Sequence, residues 1–285
     1  MKKICMTCVL ISILLPGIAY GQTQLLLPEG QSILAQDVAW NKWTTKNFVI
    51  LSYDQQQGKY VSENIEKMKE WLMDRWGMPN INFRQECRIF CVPDREKMKT
   101  FFGIERSHGE MRNGLSILWL VLDESPAATI PPSLTYICLS ELGAQYKFPV
   151  GFWAIRGTMH LNGTLSQIRG QLRHLQVAYK NDSQLFFGDS LFSIDAATWD
   201  KQPKAIQDLF DAQAMVVCLL LRKEYGQTKF TRFLRGGGTE AALRAHFGFK
   251  DFDAFDRVFN RYMKHILTDG EEDSIPDEYI QITKA

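Results

Sequence analysis

The chain has 285 residues, 45% of them apolar, with 33 basic against 32 acidic side chains and a formal net charge of +1. This balance excludes a charge-driven partnership with nucleic acid or with an anionic membrane surface. The length suits one large domain or two small ones, with enough apolar residues for a substantial core.

The N-terminus reads as a targeting segment. Lys2 and Lys3 precede the apolar run Val9–Leu15, Pro16-Gly17 breaks it, and Ala19 and Gly21 set small residues before a cleavage point at Gln22. This is the layout of a secretory signal peptide over residues 1–21. The apolar run is well short of the roughly 20 residues that a membrane span needs. Cys5 and Cys8 lie before the run, where a lipidated cysteine would follow it. A secreted or periplasmic protein is expected, without a membrane span once the leader is removed. Removal leaves 31 basic residues against 32 acidic.

Residues 22–41 form a polar leader with one apolar patch at Leu25-Leu26-Leu27. Asn47 to Tyr53 reads as a strand. Val61, Ile65, Met68, Leu72 and Trp76 recur at helical spacing over residues 61–76, and Gly77 and Pro79 end that helix. Arg88 to Val92 is a second strand, and a short helix runs through Met98 and Phe101. Strands are expected at Ile117 to Leu122, Leu134 to Leu139 and Phe152 to Leu161. The expected α/β sheet unit covers residues 42–163.

The following part, 164–267, is helical in pattern. Leu165, Ile168, Leu172 and Leu175 share one face of a helix that starts near Thr164. A long helix over 205–224 contains the apolar run Ala214 to Leu221, too short for a membrane span and suited to a buried core helix. Gly226 ends it. A helix from Phe230 to Leu234 stops at Gly236-Gly237-Gly238, Thr239 caps another through Leu243, and Asp251 caps the last, with Phe252, Phe255, Phe259 and Tyr262 on one face. Residues 268–285 carry Glu271-Glu272-Asp273 and read as an acidic, solvated tail. The fold class is α+β: a small mixed sheet in the N-terminal half, packed on an all-helical C-terminal half.

Four cysteines follow the leader: Cys87, Cys91, Cys138 and Cys218. Cys87 and Cys91 stand i, i+4 on one strand, about 13 Å apart, and cannot bond each other. Disulfides with the other two, or burial as free thiols, both remain open.

The chemistry-bearing segment is Gly170-Gln171-Leu172-Arg173-His174, followed by Phe186-Phe187-Gly188-Asp189-Ser190. It resembles the active-site region of the gluzincin zinc metallopeptidases, in their peptidase-MA-like branch. There a His-Glu-x-x-His helix supplies two ligands and a general base, because residues i and i+4 share a helix face. A Trp-Leu-x-Glu-Gly segment then supplies the third ligand. The helix ending in Tyr225-Gly226, and the stretch Glu240 to Phe259, resemble the helices that close those domains. The resemblance spans roughly residues 40–265 and implies a zincin-like fold.

Carried over by position, His174 matches the second ligand and Asp189 the third, with Ser190 at the following Gly and Phe186-Phe187 at Trp-Leu. Gly170 stands where the first ligand His belongs, and Gln171 where the base Glu belongs. Glycine has no side chain to bind metal, and a Gln amide cannot accept a proton at neutral pH. Losing the base alone removes about 10²–10⁴-fold in rate. The resemblance therefore implies a pseudopeptidase, with no catalytic residues and no cofactor. It would bind a polypeptide or an envelope partner through a cleft near Trp153, Phe186 and Phe187. The alternatives are an active zinc hydrolase built on His174 and Asp189 with His160 or Glu141 recruited, and a structural envelope component. No nucleophile elbow, phosphate loop or Cys-x-x-Cys is present.

Overall fold

A computed structural model describes residues 40–268, except 113, 148–149, 182–184 and 187. The expected leader over 1–21, most of the 22–41 segment and the tail beyond 268 lie outside the described residues. The sheet has five strands: β1 (Asn41–Thr44), β2 (Phe48–Ser52), β3 (Cys87–Val92), β4 (His108–Arg112) and β5 (Leu115–Val121). Their spatial order is β1-β2-β3-β5-β4. The three central strands are parallel, and the two edge strands run antiparallel to their neighbours. The central strands are buried on both faces and read as nearly continuous apolar runs, as parallel strands do.

Helix α1 (Gln55–Arg75) joins β2 to β3, and α3 (Pro126–Gln145) follows β5. Val61, Ile65, Ile130, Leu134 and Ile137 pack from these two helices onto the sheet face made by Ile50, Ile89, Leu118 and Leu120. The opposite face carries Phe90 stacked on Trp119 at 4.7 Å, covered by Phe102 of α2 (Arg95–Phe102), which sits 4.6 Å from Trp119. Side-chain caps fix the helix starts. Asp54 accepts from Gln57 N at 2.8 Å, and Asp94 accepts from Lys97 N at 2.8 Å.

The remaining helices are α4 (Phe152–Leu161), α5 (Leu165–Lys180), α6 (Gly188–Ser193), α7 (Ala196–Asp200), α8 (Lys204–Tyr225), α9 (Gln227–Arg235), α10 (Glu240–Phe247) and α11 (Phe252–Thr268). Every residue of α8 from Leu209 to Leu221 is buried, which makes it the central rod of the helical part. Both α4 and α5 pack against it. Helix α4 approaches through Gly157: a Cβ there would lie 2.3 Å from the Ala214 carbonyl oxygen. Thr164 and Gln167 form a reciprocal capping box at the start of α5. Asp251 accepts from Ala254 N at 2.9 Å at the start of α11.

Two expected strands are helices. Leu134 to Leu139 lies within the 20 residues of α3, and Phe152 to Leu161 is α4. Helix α3 has no fully exposed stripe after its first residue, and α4 is ten residues long with Arg156 and His160 as its only charged or ionisable side chains; over short windows a buried helix and a buried strand look alike. The mixed α+β architecture holds, and the unbroken succession of helices begins at Pro126, after the last strand.

Candidate functional site

Helix α4 carries Arg156 and His160 one turn apart, so both face α8. There they meet Asp211. Arg156 Nε donates to Asp211 Oδ1 at 2.8 Å, and a second guanidinium nitrogen donates to Oδ2. His160 Nε2 lies 3.2 Å from the same Oδ2. On the far side of the imidazole, Gln171 Nε2 of α5 is 3.4 Å from His160 Nδ1. The Arg156 guanidinium also lies 4.3 Å from the Trp199 ring centroid. The side chains of Arg156, His160 and Asp211 are 14%, 18% and 6% exposed.

The charges follow from this packing. Burial alone would raise the Asp211 carboxyl, but the contacts from His160 and Arg156 outweigh it and hold the pKa at about 2. Burial lowers the His160 pKa from its usual 6.5. Asp211 offsets part of that, and the charges of Arg156 and Arg106 add to it. His160 is therefore neutral at pH 7. The Gln171 amide nitrogen only donates, so Nδ1 accepts and the ring hydrogen is assigned to Nε2, 3.2 Å from Asp211 Oδ2 but out of line for a hydrogen bond.

The cluster lies close to Tyr136 of α3, whose hydroxyl its charges reach. Burial raises the pKa of the Tyr136 hydroxyl on α3. Arg156 lowers it, and Glu110 on β4 and Asp200 at the end of α7 raise it. Charges on α4, β4 and α7 thus act on Tyr136. Strand β4 is the sheet edge on this side: Glu110 accepts from Trp119 Nε1 at 2.8 Å and pairs with Arg112 at 3.2 Å. Gly109 lets β4 approach α3, because a Cβ there would meet the Ser133 carbonyl oxygen at 2.4 Å.

The residues singled out in sequence do not gather into one site. His174 is exposed on α5, and Asp189 is exposed in the first turn of α6. Asp189 Oδ1 accepts from Ser190 N at 2.7 Å, a local turn contact. Gly170 faces open space, with nothing within 4 Å of an added Cβ. His160 does reach Gln171 of the motif helix, but from a helix and not from the strand expected there, and its carboxylate partner is Asp211. Glu141 is buried elsewhere, accepting from Ser116 Oγ at 2.6 Å and from Arg84 Nε at 3.2 Å.

The expected cleft aromatics need correction. Trp153 is fully buried, 4.3 Å from the Phe192 centroid, with Nε1 donating to Gly238 O at 3.2 Å. It is core, because α4 turns that face inward between α6 and α9. Phe186 is half-buried against Phe210 at 5.7 Å. Phe187 lies outside the described residues. The pair that organises the site, Arg156 and Asp211, was missed, since its two members are 55 residues apart. Reading Phe152 to Leu161 as a helix would have shown Arg156 and His160 on one face.

Zinc requires about three converging protein donors. Among the described residues no group of three or more His, Cys, Asp or Glu side chains converges to hold a metal. At the cluster the single carboxylate is already taken by a guanidinium, a permanent cation. This donor set does not fit zinc.

No protein-family model matches the chain, and no curated protein matches it. Among solved structures, yeast LTA4 hydrolase is similar over 83% of this chain, at 12% sequence identity and a TM-score of 0.42. The match covers 38% of that protein's length, so this chain spans well under half of it. The likeness is one of distant overall shape.

Proposed function

We propose that this protein is an exported, non-catalytic relative of the peptidase-MA-like metallopeptidases, and that it binds a polypeptide or an envelope partner along the sheet edge formed by β4. One observation carries the reading. Arg156 neutralises Asp211 in a buried, two-pronged ion pair, with a neutral His160 beside the same carboxylate. A carboxylate held at about 2 by a guanidinium is a poor proton acceptor and a poor metal donor. The replacements at Gly170 and Gln171 support the same conclusion. Edge strand β4 supports the binding role, because a sheet edge offers backbone groups to which an extended peptide can add as a further strand.

The test pairs two measurements on the purified chain. Incubation with zinc, followed by elemental mass spectrometry, leaves no stoichiometric metal. Extended peptides bind saturably by fluorescence anisotropy, and versions N-methylated at alternate residues do not, since they cannot complete a strand ladder. Retention of zinc, cleavage of the peptides, or indifference to N-methylation would each refute the proposal.

A further inference from the structure

A second site lies away from β4, at the carboxyl end of the parallel strands. A half-open crevice of about 210 Å³ sits between the first turns of α1 and α3, above the end of β5. In sheets with parallel strands, ligands favour the space beyond the strands' carboxyl ends. The floor is apolar, made by Val61, Leu120, Leu122 and Ile130. Tyr60 stands at the lip, 49% exposed as a residue. The rim is polar, with Gln57 and Thr129.

Volume, shape and polarity select the occupant. An apolar protein cavity of about 150 Å³ takes benzene, so this crevice has room for one substituted ring or a small fused pair. The Tyr60 face offers a stacking surface for such a ring. Thr129 Oγ1 already donates to Ser125 O at 3.1 Å, which leaves its lone pairs to accept a hydrogen bond. Glu124 is also at the rim, where its carboxylate is held by Arg95 at 2.9 Å and disfavours a second anion. We infer that the crevice binds a small neutral aromatic molecule bearing one O–H or N–H donor, of the phenol or indole class, with the ring on the apolar floor and the donor on Thr129. This is independent of what the β4 edge binds.

The test is titration of the full chain with p-cresol, toluene, 3-methylindole and N-acetyltryptophanamide, followed by protein NMR. The expected result is one-to-one saturable binding of p-cresol and 3-methylindole below about 1 mM. Toluene, which lacks the donor, binds about 5-fold more weakly than p-cresol. Thr129→Val removes that difference while leaving toluene binding unchanged. Val61→Phe fills the floor and abolishes binding, and Thr129→Val keeps the test decisive if that variant fails to fold. The inference fails if neither aromatic saturates, or if the p-cresol to toluene ratio survives Thr129→Val. It also fails if N-acetyltryptophanamide binds more tightly than 3-methylindole, which would make the crevice a pocket for a peptide side chain.

Discussion

The same substitution at two glycines should act with opposite sign. Gly157 and Gly170 both lie inside helices, so Gly→Ala at either improves helix propensity by about 1 kcal/mol. Their surroundings differ. At Gly157 the new methyl would sit 2.3 Å from the Ala214 carbonyl oxygen and 2.6 Å from Cys218 Sγ, where ordinary contact begins at 3.4 Å. The oxygen belongs to the backbone of α8 and cannot swing aside, so α4 must move away by roughly 1 Å. Overpacking of this kind costs about 1–3 kcal/mol, and a rigid backbone obstacle puts it at the upper end. After the gain in propensity, Gly157→Ala loses about 2 kcal/mol. Gly170→Ala meets nothing within 4 Å and gains about 0.5–1 kcal/mol.

At about 2–4 °C per kcal/mol for a chain of this size, calorimetry should show Gly157→Ala melting about 4–8 °C lower and Gly170→Ala a few degrees higher. The outward shift of α4 also draws Arg156 from Asp211, so Gly157→Ala should flatten the acid part of the stability profile. A Gly157→Ala variant as stable as the parent, or a Gly170→Ala variant less stable, would refute the packing of α4 on α8.

Three further outcomes follow. Asp211 is held from 3.8 down to about 2, so it contributes roughly 2 kcal/mol above pH 4, lost as the pH falls towards 2; Asp211→Asn removes this acid-dependent loss and destabilises the protein at pH 7 by about 3 kcal/mol by leaving Arg156 unpaired, as urea unfolding across pH would show. Gly170→His sets a second imidazole one turn from the exposed His174, so the variant gains nickel or zinc binding that His174→Ala abolishes, without gaining peptide hydrolysis. Cys87, Cys91, Cys138 and Cys218 are buried free thiols, with burial raising each pKa, to about 12 at Cys138 and Cys218; in a protein produced from residue 22 onward, a thiol-reactive chromophore should label none of them before unfolding and all of them after it.

The amphipathic elements were legible in the sequence. Helix α1 shows its buried stripe at Val61, Ile65 and Leu72, and α5 announces its start through Thr164 and Gln167, because one face meets solvent. Helix α3 was not legible, since burial on nearly all sides erases the period that separates helix from strand, and α4 was read as a strand because its polar stripe is only Arg156 and His160 in ten mostly apolar residues. Strand β4 was missed for the opposite reason: in His-Gly-Glu-Met-Arg only Met111 is apolar, as an edge strand allows. The site suffered most from the error at α4. Arg156 and His160 share a face only if that segment is a helix, and Asp211 becomes their partner only through the packing of α4 on α8. The motif at residues 170–174 pointed to α5, yet of its residues it is Gln171, through His160, that touches the cluster.

Zinc stoichiometry tests the central claim most directly. The chain, purified without chelator and incubated with zinc, should carry no stoichiometric metal after exhaustive buffer exchange, and His174→Ala should leave that result unchanged. About one zinc per chain, lost on His174→Ala, would contradict the account and make this a metal-dependent protein.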